Sequence, residues 1–357
     1  MTPVRPQESR PRDLAALARE GAPFTRGSLA AFAAELARTI PASDLSLLES
    51  EPMRRHTTLQ IGGPADLLVQ AKTREAVEQT LAAAARHGLP LLVLGGGANL
   101  LCSDAGWRGV VLRVACERME FTAEDCWVGA GADFLGFIRA CRERDLSALE
   151  FAAGVPGSVG GAIYGNAGCY GQAIGEFVIE ADVCEMDGSN RRIVPGKYFE
   201  FNYRTSRLKR HPLVLLAARI RMRPGDGEAI QAEIDGRLEE RRVKHPAWRT
   251  EPTAGSYFKN LAPEKAGERR VPAGKVLDAC DCRGLRVGGA EVFSKHANII
   301  VNVGGATAQE TLTLAEIMRT RVRSRFQIEL EEEVLFVGEP PALLRHAELD
   351  TLNTSSD

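Results

Sequence analysis

The chain has 357 residues, of which 44% are hydrophobic and 26% charged, the balance of a soluble globular protein too long for one ordinary core. A formal net charge of −2 supplies no global field to draw in nucleic acid or an anionic membrane, so neither is expected as a partner. The eight cysteines form no CxxC pair, no apolar run reaches membrane-spanning length, and no metal site is expected; scattered reduced thiols fit a cytoplasmic location.

Residues 1–50 are expected to form an N-terminal extension that packs on the main body. "LAALAREG" is followed there by "SLAAFAAELARTI", whose apolar spacing predicts a helix with Ser28 as N-cap. The first organised unit, 51–115, reads strand, helix, strand, glycine loop, strand. Its elements are "ADLLVQ", a helix over 73–88 capped by Thr73 and stopped by Gly88, "LPLLVL", and "RGVVLRV". A second unit, 116–224, has a short strand at "CWVGAGA" and a helix from about Asp133 to Arg144. A glycine-rich tract and strands over 178–186 and 213–222 follow, with Tyr203 and Arg204 inside a run of strand character. A third unit, 225–340, opens on a charged helix. It continues with a helix near 273–280, a strand over 298–303, a helix at about 307–324 and a last strand in "QIELEEEVLFVG". Residues 341–357 read as a frayed tail. The strand–helix–strand order of the first unit predicts an α/β or α+β arrangement.

Two glycine segments suggest a ligand. In "VLGGGANLL" a strand feeds Gly95, Gly96, Gly97, Ala98 and Asn99, a turn whose backbone N–H groups can converge on an anion. The dinucleotide fingerprint GxGxxG is not met, because Leu100 stands where its third glycine belongs. The tract "AAGVPGSVGGAIYGNAGCYG" is denser in glycine, including Gly154, Gly157, Gly161 and Gly168, with Ser158 and Asn166 offering polar side chains. Such density costs chain entropy on ordering and makes sense where backbone wraps a large ligand. Together the loops suggest a pyrophosphate with a ring system. A flavin dinucleotide fits better than a lone nucleotide, with an NAD-type ligand as the runner-up.

The polar candidates are fewer. "TAGSYFKN" holds the Ser256 hydroxyl between a flexible turn and two aromatics; Tyr257 and Phe258 are expected to keep bulk water out, and Lys259 and Asn260 to shape the polar surroundings. In "EEEVLFVG", strand alternation would put Glu333 on the face of Leu335 and Val337, and a buried carboxylate needs a partner, for which Arg204 is a candidate. Lys244 and His245 end a helix, where they hold phosphate or simply favour the helix dipole. His296 and Asn298 enter a strand, where a lone histidine is more often structural than functional.

In order along the chain, "HTTLQIGGPAD", "LGGGANLL", "GVPGSVGGAIYGNAGCYG", "FNYRTS", "AGSYFKN", "AGKVLDACDCRGLRVGGAEV", "HANIIVN" and "EEEVLFVG" resemble the UDP-N-acetylenolpyruvoylglucosamine reductases (UDP-N-acetylmuramate dehydrogenases), from about His56 to Gly338. The resemblance implies a vanillyl-alcohol-oxidase-type FAD-binding fold of two subdomains, followed by an α+β substrate domain. It implies FAD held by the two glycine loops, NADPH as co-substrate, and the enolpyruvyl nucleotide sugar as substrate. By motif it makes Arg204, Ser256 and Glu333 catalytic, with Ser256 the proton donor, and places Tyr203, Lys244, Asn260 and His296 near the nucleotide sugar. Ala98 stands where a serine is usual, and Cys280 and Cys282 lie in a stretch that usually reads "DQAGLKG". The short segment after "RIRMRPGD" matches the subtype without an extra tyrosine-bearing loop. Another FAD-linked oxidoreductase of the same fold is the alternative reading.

Overall fold

The computed structural model describes residues 25–263, 265 and 268–344; "LAALAREG" and most of the expected tail lie outside them. Among the described residues no helix is long and apolar enough to cross a membrane.

The first unit is a four-stranded sheet in the order Leu45–Pro52, Pro64–Ala71, Trp107–Val114, Leu91–Leu94. The first pair is antiparallel and the others parallel. The boundary drawn at residue 50 therefore falls inside the first strand of this sheet. The helix Arg74–Arg86 begins at Thr73, whose side chain accepts from the N–H of Ala76, and buries Val77 and Leu81. Helix Arg26–Thr39 packs on it through the buried Phe32 and Leu36. Its cap is Thr25 rather than Ser28: the Thr25 hydroxyl accepts from the Ser28 N–H, so Ser28 already lies in the first turn.

The second unit is a five-stranded antiparallel sheet in the order Arg192–Pro195, Val178–Glu185, Leu213–Arg221, Asp125–Gly129, Met119–Phe121. The first two units share one hydrophobic core. In the glycine tract the chain forms a short helix, Val159–Gly165, because the Ser158 hydroxyl caps it by accepting from Gly161 N–H.

The third unit has a sheet in the order Thr253–Ser256, Ile299–Asn302, Ala290–Val292, Arg286–Val287, covered by helix Ala308–Phe326. The last strand, Leu335–Val337, does not join this sheet. It pairs in parallel with Leu100–Cys102, immediately after the first glycine loop. The strand expected over "QIELEEEVLFVG" is thus only its end, and Glu333 precedes it. Tyr203 and Arg204 also lie outside any strand, at the corner of a tight turn closed by reciprocal bonds between Asn202 and Thr205 (3.1 and 3.2 Å).

Candidate active site

The two glycine loops meet. A Cβ on Gly95 would sit 2.6 Å from Ser158 Oγ, and one on Gly96 2.6 Å from the Cα of Gly157. The Ser158 hydroxyl accepts from the N–H groups of Gly96 and Gly161, both at 3.2 Å, and so joins the loops. Gly97 has φ +62°, and a Cβ there would run into the carbonyl oxygen of His56. The backbone N–H groups of Gly97, Ala98 and Gly157 find no partner among the described residues. Amides left unpaired where two loops converge suit the phosphates of a dinucleotide, so the residues present fit FAD.

Above these loops lies an ion pair. Arg204 Nε is 2.6 Å from Glu333 Oε1. The guanidinium also donates through Nη1 to the carbonyl of Gly168 (2.9 Å), in the second glycine tract. The Glu333 backbone is tied on two sides: Asn99 Nδ2 donates to its carbonyl (2.9 Å), and its own N–H donates to the carbonyl of Tyr257 (2.8 Å). Burial pushes the Glu333 carboxyl above the usual glutamate range, opposed by the positive charges of Arg204, Lys209 and Lys259. Ser256 ends the strand beside Tyr257, half-buried, after Gly255 at φ +78°. The structure therefore brings Arg204, Glu333 and the segment carrying Ser256 to one place, beside both glycine loops.

Residues 246–337 match the family model described as UDP-N-acetylenolpyruvoylglucosamine reductase, C-terminal domain, and residues 65–193 match an FAD-binding domain. The chain is 37% identical to the UDP-N-acetylenolpyruvoylglucosamine reductase of Bacillus velezensis, over 82% of this chain and 94% of that protein. It is 40% identical to that of Solibacter usitatus, over 83% and 98%. The chain belongs to the UDP-N-acetylenolpyruvoylglucosamine reductase family. It is an FAD-dependent oxidoreductase. The crystal structure of the Thermus caldophilus reductase superposes with a TM-score of 0.67 at 29% identity, covering 82% of this chain and 99% of that one.

Other expected contacts of this reductase are arranged less directly. The Asn166 amide is committed within the protein: Nδ2 donates to the carbonyl of Asn202 (2.9 Å) and Oδ1 accepts from Gly175 N–H (3.0 Å). These bonds let its side chain buttress the Arg204 turn. The Tyr203 hydroxyl accepts from the Asn260 N–H (3.1 Å), and the Arg270 guanidinium lies 3.9 Å from the Tyr203 ring centroid. Lys244 turns outward to Glu240 (2.7 Å) and is exposed. His296 faces His245, with ring centroids 5.5 Å apart. Burial lowers the proton affinity of both; that of His245 falls to about 4, with Arg241, His296 and Lys244 adding to the effect. Both are neutral at neutral pH. The Asn298 N–H donates to His296 Nδ1 (3.2 Å), which leaves the ring proton on Nε2.

Tyr257 and Phe258 are both buried in the core of the third unit, where they anchor the strand that carries the serine. Asn298, itself buried, holds them: its carbonyl accepts from Tyr257 N–H (2.8 Å), its Oδ1 from Phe258 N–H (2.9 Å), and its Nδ2 donates to the Phe258 carbonyl (2.8 Å). Lys259 pairs with Glu331.

Sequence reasoning gave no role to His56, Arg241 or Lys209. His56 lies under Gly97 with its ring between Glu51 (3.0 Å) and Arg113 (3.1 Å). Arg241 comes within 2.8 Å of where a Gly154 Cβ would lie, and burial lowers its proton affinity. The run "HTTL" was a visible signal for the first; nothing in the local pattern marked the other two.

Proposed function

We propose that the protein reduces the enolpyruvyl ether of UDP-N-acetylenolpyruvoylglucosamine to the lactyl ether of UDP-N-acetylmuramate, a peptidoglycan precursor, with NADPH as electron donor. FAD at the glycine loops supplies the hydride relay, from NADPH to C3 of the enolpyruvyl group. The chain's own residues handle charge and the proton. Arg204 faces the negative charge that develops at C2 and spreads into the substrate carboxylate. Glu333, at 2.6 Å, fixes the guanidinium so that it need not reorganise during reaction. The Ser256 hydroxyl protonates C2 and regains its proton from solvent, completing addition across the double bond.

A serine is a poor acid in water, so it serves only against a strongly basic carbon held close to it. The flexible Gly255 gives the hydroxyl reach, while the buried Tyr257 and Phe258 fix the strand beneath it. The observation that carries the reading is the Arg204–Glu333 ion pair, tied by Asn99 to one glycine loop, by Gly168 to the other, and by Tyr257 to the serine strand.

The test separates the two halves of the reaction. Stopped-flow absorbance should show Ser256→Ala reduced by NADPH at the parent rate but reoxidised by the enolpyruvyl sugar about 10²–10⁴-fold more slowly. Equal loss in both halves would refute the assignment.

A further inference from the structure

Lys209 is a cation close to the reacting groups for which the proposed chemistry has no role. It ends a short 3-10 turn, Arg207–Lys209, anchored by the buried Ser206, whose hydroxyl donates to the carbonyl of Tyr164 (2.8 Å). From there its chain folds back over the Tyr164 ring, with Nζ 5.4 Å from the ring centroid, and Nζ donates to the carbonyl of Arg204 (2.8 Å). The carbonyl it grips belongs to a residue in an uncommon conformation. Arg204 has φ +54°, in the left-handed region where a residue with a Cβ is held only by its surroundings.

We propose that Lys209 is a positioning residue of the active site: its ammonium clamps the Arg204 carbonyl and so holds the left-handed turn that aims the Arg204 guanidinium at Glu333. The peptide that carries the Arg204 carbonyl is held at its N–H side, where Thr205 N–H donates to the Asn202 carbonyl (3.2 Å), and Lys209 holds the carbonyl side of the same peptide (2.8 Å). Loss of the ammonium removes one of these two bonds and leaves the left-handed turn held through its N–H side. A turn that relaxed would swing the guanidinium off both Glu333 and the Gly168 carbonyl, because both contacts are made by one planar group.

The clamp depends on charge. The charged groups facing Lys209 are Lys259, Glu333, Arg204 and Glu331, from its own turn and from the third unit. Burial lowers its proton affinity to about 8, Lys259 and Arg204 add to this, and Glu333 and Glu331 oppose it. As pH rises through that value the ammonium becomes an amine, a weaker donor, and the turn loosens. Reduction of the enolpyruvyl sugar therefore falls on the alkaline side, while reduction of FAD by NADPH, which needs no charge on Arg204 at C2, does not.

The inference rests on the two-step reading above. If the parent protein does not reduce the enolpyruvyl sugar, that reading fails; if it does, the following comparison concerns Lys209 alone. Both half-reactions are followed by stopped-flow between pH 6 and 10 in the FAD-loaded parent, Lys209→Met and Lys209→Arg, with circular dichroism as a check of folding. Lys209→Met is expected to slow substrate reduction about 10²-fold, the cost of a misplaced catalytic group, to leave FAD reduction unchanged, and to lose the alkaline limb near pH 8. Lys209→Arg, which keeps a donor that does not titrate in this range, is expected to restore much of the rate and also to lack the limb. A limb that persists at the same pH in either variant overturns the proposal, as does equal slowing of both half-reactions. If Lys209→Met does not fold, the Lys209→Arg profile decides the matter in the same way.

Discussion

At the scale of single residues, the site is built from side chains that hold other side chains. Glu333 makes the ion pair with Arg204, but its own backbone is set by Asn99 and Tyr257. Burial raises its proton affinity while three cations lower it, and burial is the largest of these influences. The carboxyl therefore gains its proton at a higher pH than an ordinary glutamate, and the ion pair is lost as pH falls through that raised value. The rate of substrate reduction should show an acid limb displaced upward from the usual carboxylate range. Glu333→Gln keeps the shape and removes the charge. It is expected to flatten that limb and to slow substrate reduction about 10²–10³-fold, with FAD reduction by NADPH unchanged; an acid limb retained in this variant would assign the titration to another group.

At the scale of elements, the first two units are fastened by one arginine. Arg191 bonds Asp182 through Nε and Nη2 (3.1 and 2.9 Å) and reaches Glu75 and Glu78 through Nη1 (3.1 and 3.2 Å). Asp182 lies on strand Val178–Glu185 and is buried, while both glutamates lie on helix Arg74–Arg86 of the other unit. Arg74 from that helix is also 3.3 Å from Asp182. Gly188, at φ +76°, lets the intervening turn lie against the helix, since a Cβ there would strike its backbone. Removing one partner leaves a buried carboxylate only half compensated, so Arg191→Met is expected to cost about 3 kcal/mol. A fall in the urea midpoint at constant slope measures it. A change below 1 kcal/mol would mean that Arg74 alone suffices.

At the scale of the whole molecule, the chain closes on itself. Its last strand, Leu335–Val337, leaves the third unit and pairs with Leu100–Cys102 in the first. The Leu335 N–H donates to the carbonyl of Asn99 (3.1 Å), the same residue whose amide holds Glu333. Fold closure and site assembly therefore share one joint. Leu335→Pro removes this donor and should destabilise the protein by about 3 kcal/mol. The flavin absorbance per protein should fall together with the melting temperature. A lower melting temperature with full flavin content would separate the two roles.

What the sequence determined by itself was local. The helix over Arg74–Arg86 was legible from its cap and apolar period, and the strands at 64–71, 107–114 and 178–185 from their apolar runs, because those signals are carried by neighbouring residues. Arg204, Ser256 and Glu333 were named by ordered motifs, and the Arg204–Glu333 pairing by the need of a covered carboxylate for a cation. Strand alternation does not set the direction of Glu333, because the residue precedes its strand. Only the tertiary structure decided the left-handed turn at Arg204, the inward anchoring of Tyr257 and Phe258 by Asn298, and the clamp of Lys209 on the turn. These depend on groups brought together from distant parts of the chain, or on a backbone conformation imposed by them. No period, cap or spacing along the sequence records such contacts, because their energy exists only once the surrounding units have packed.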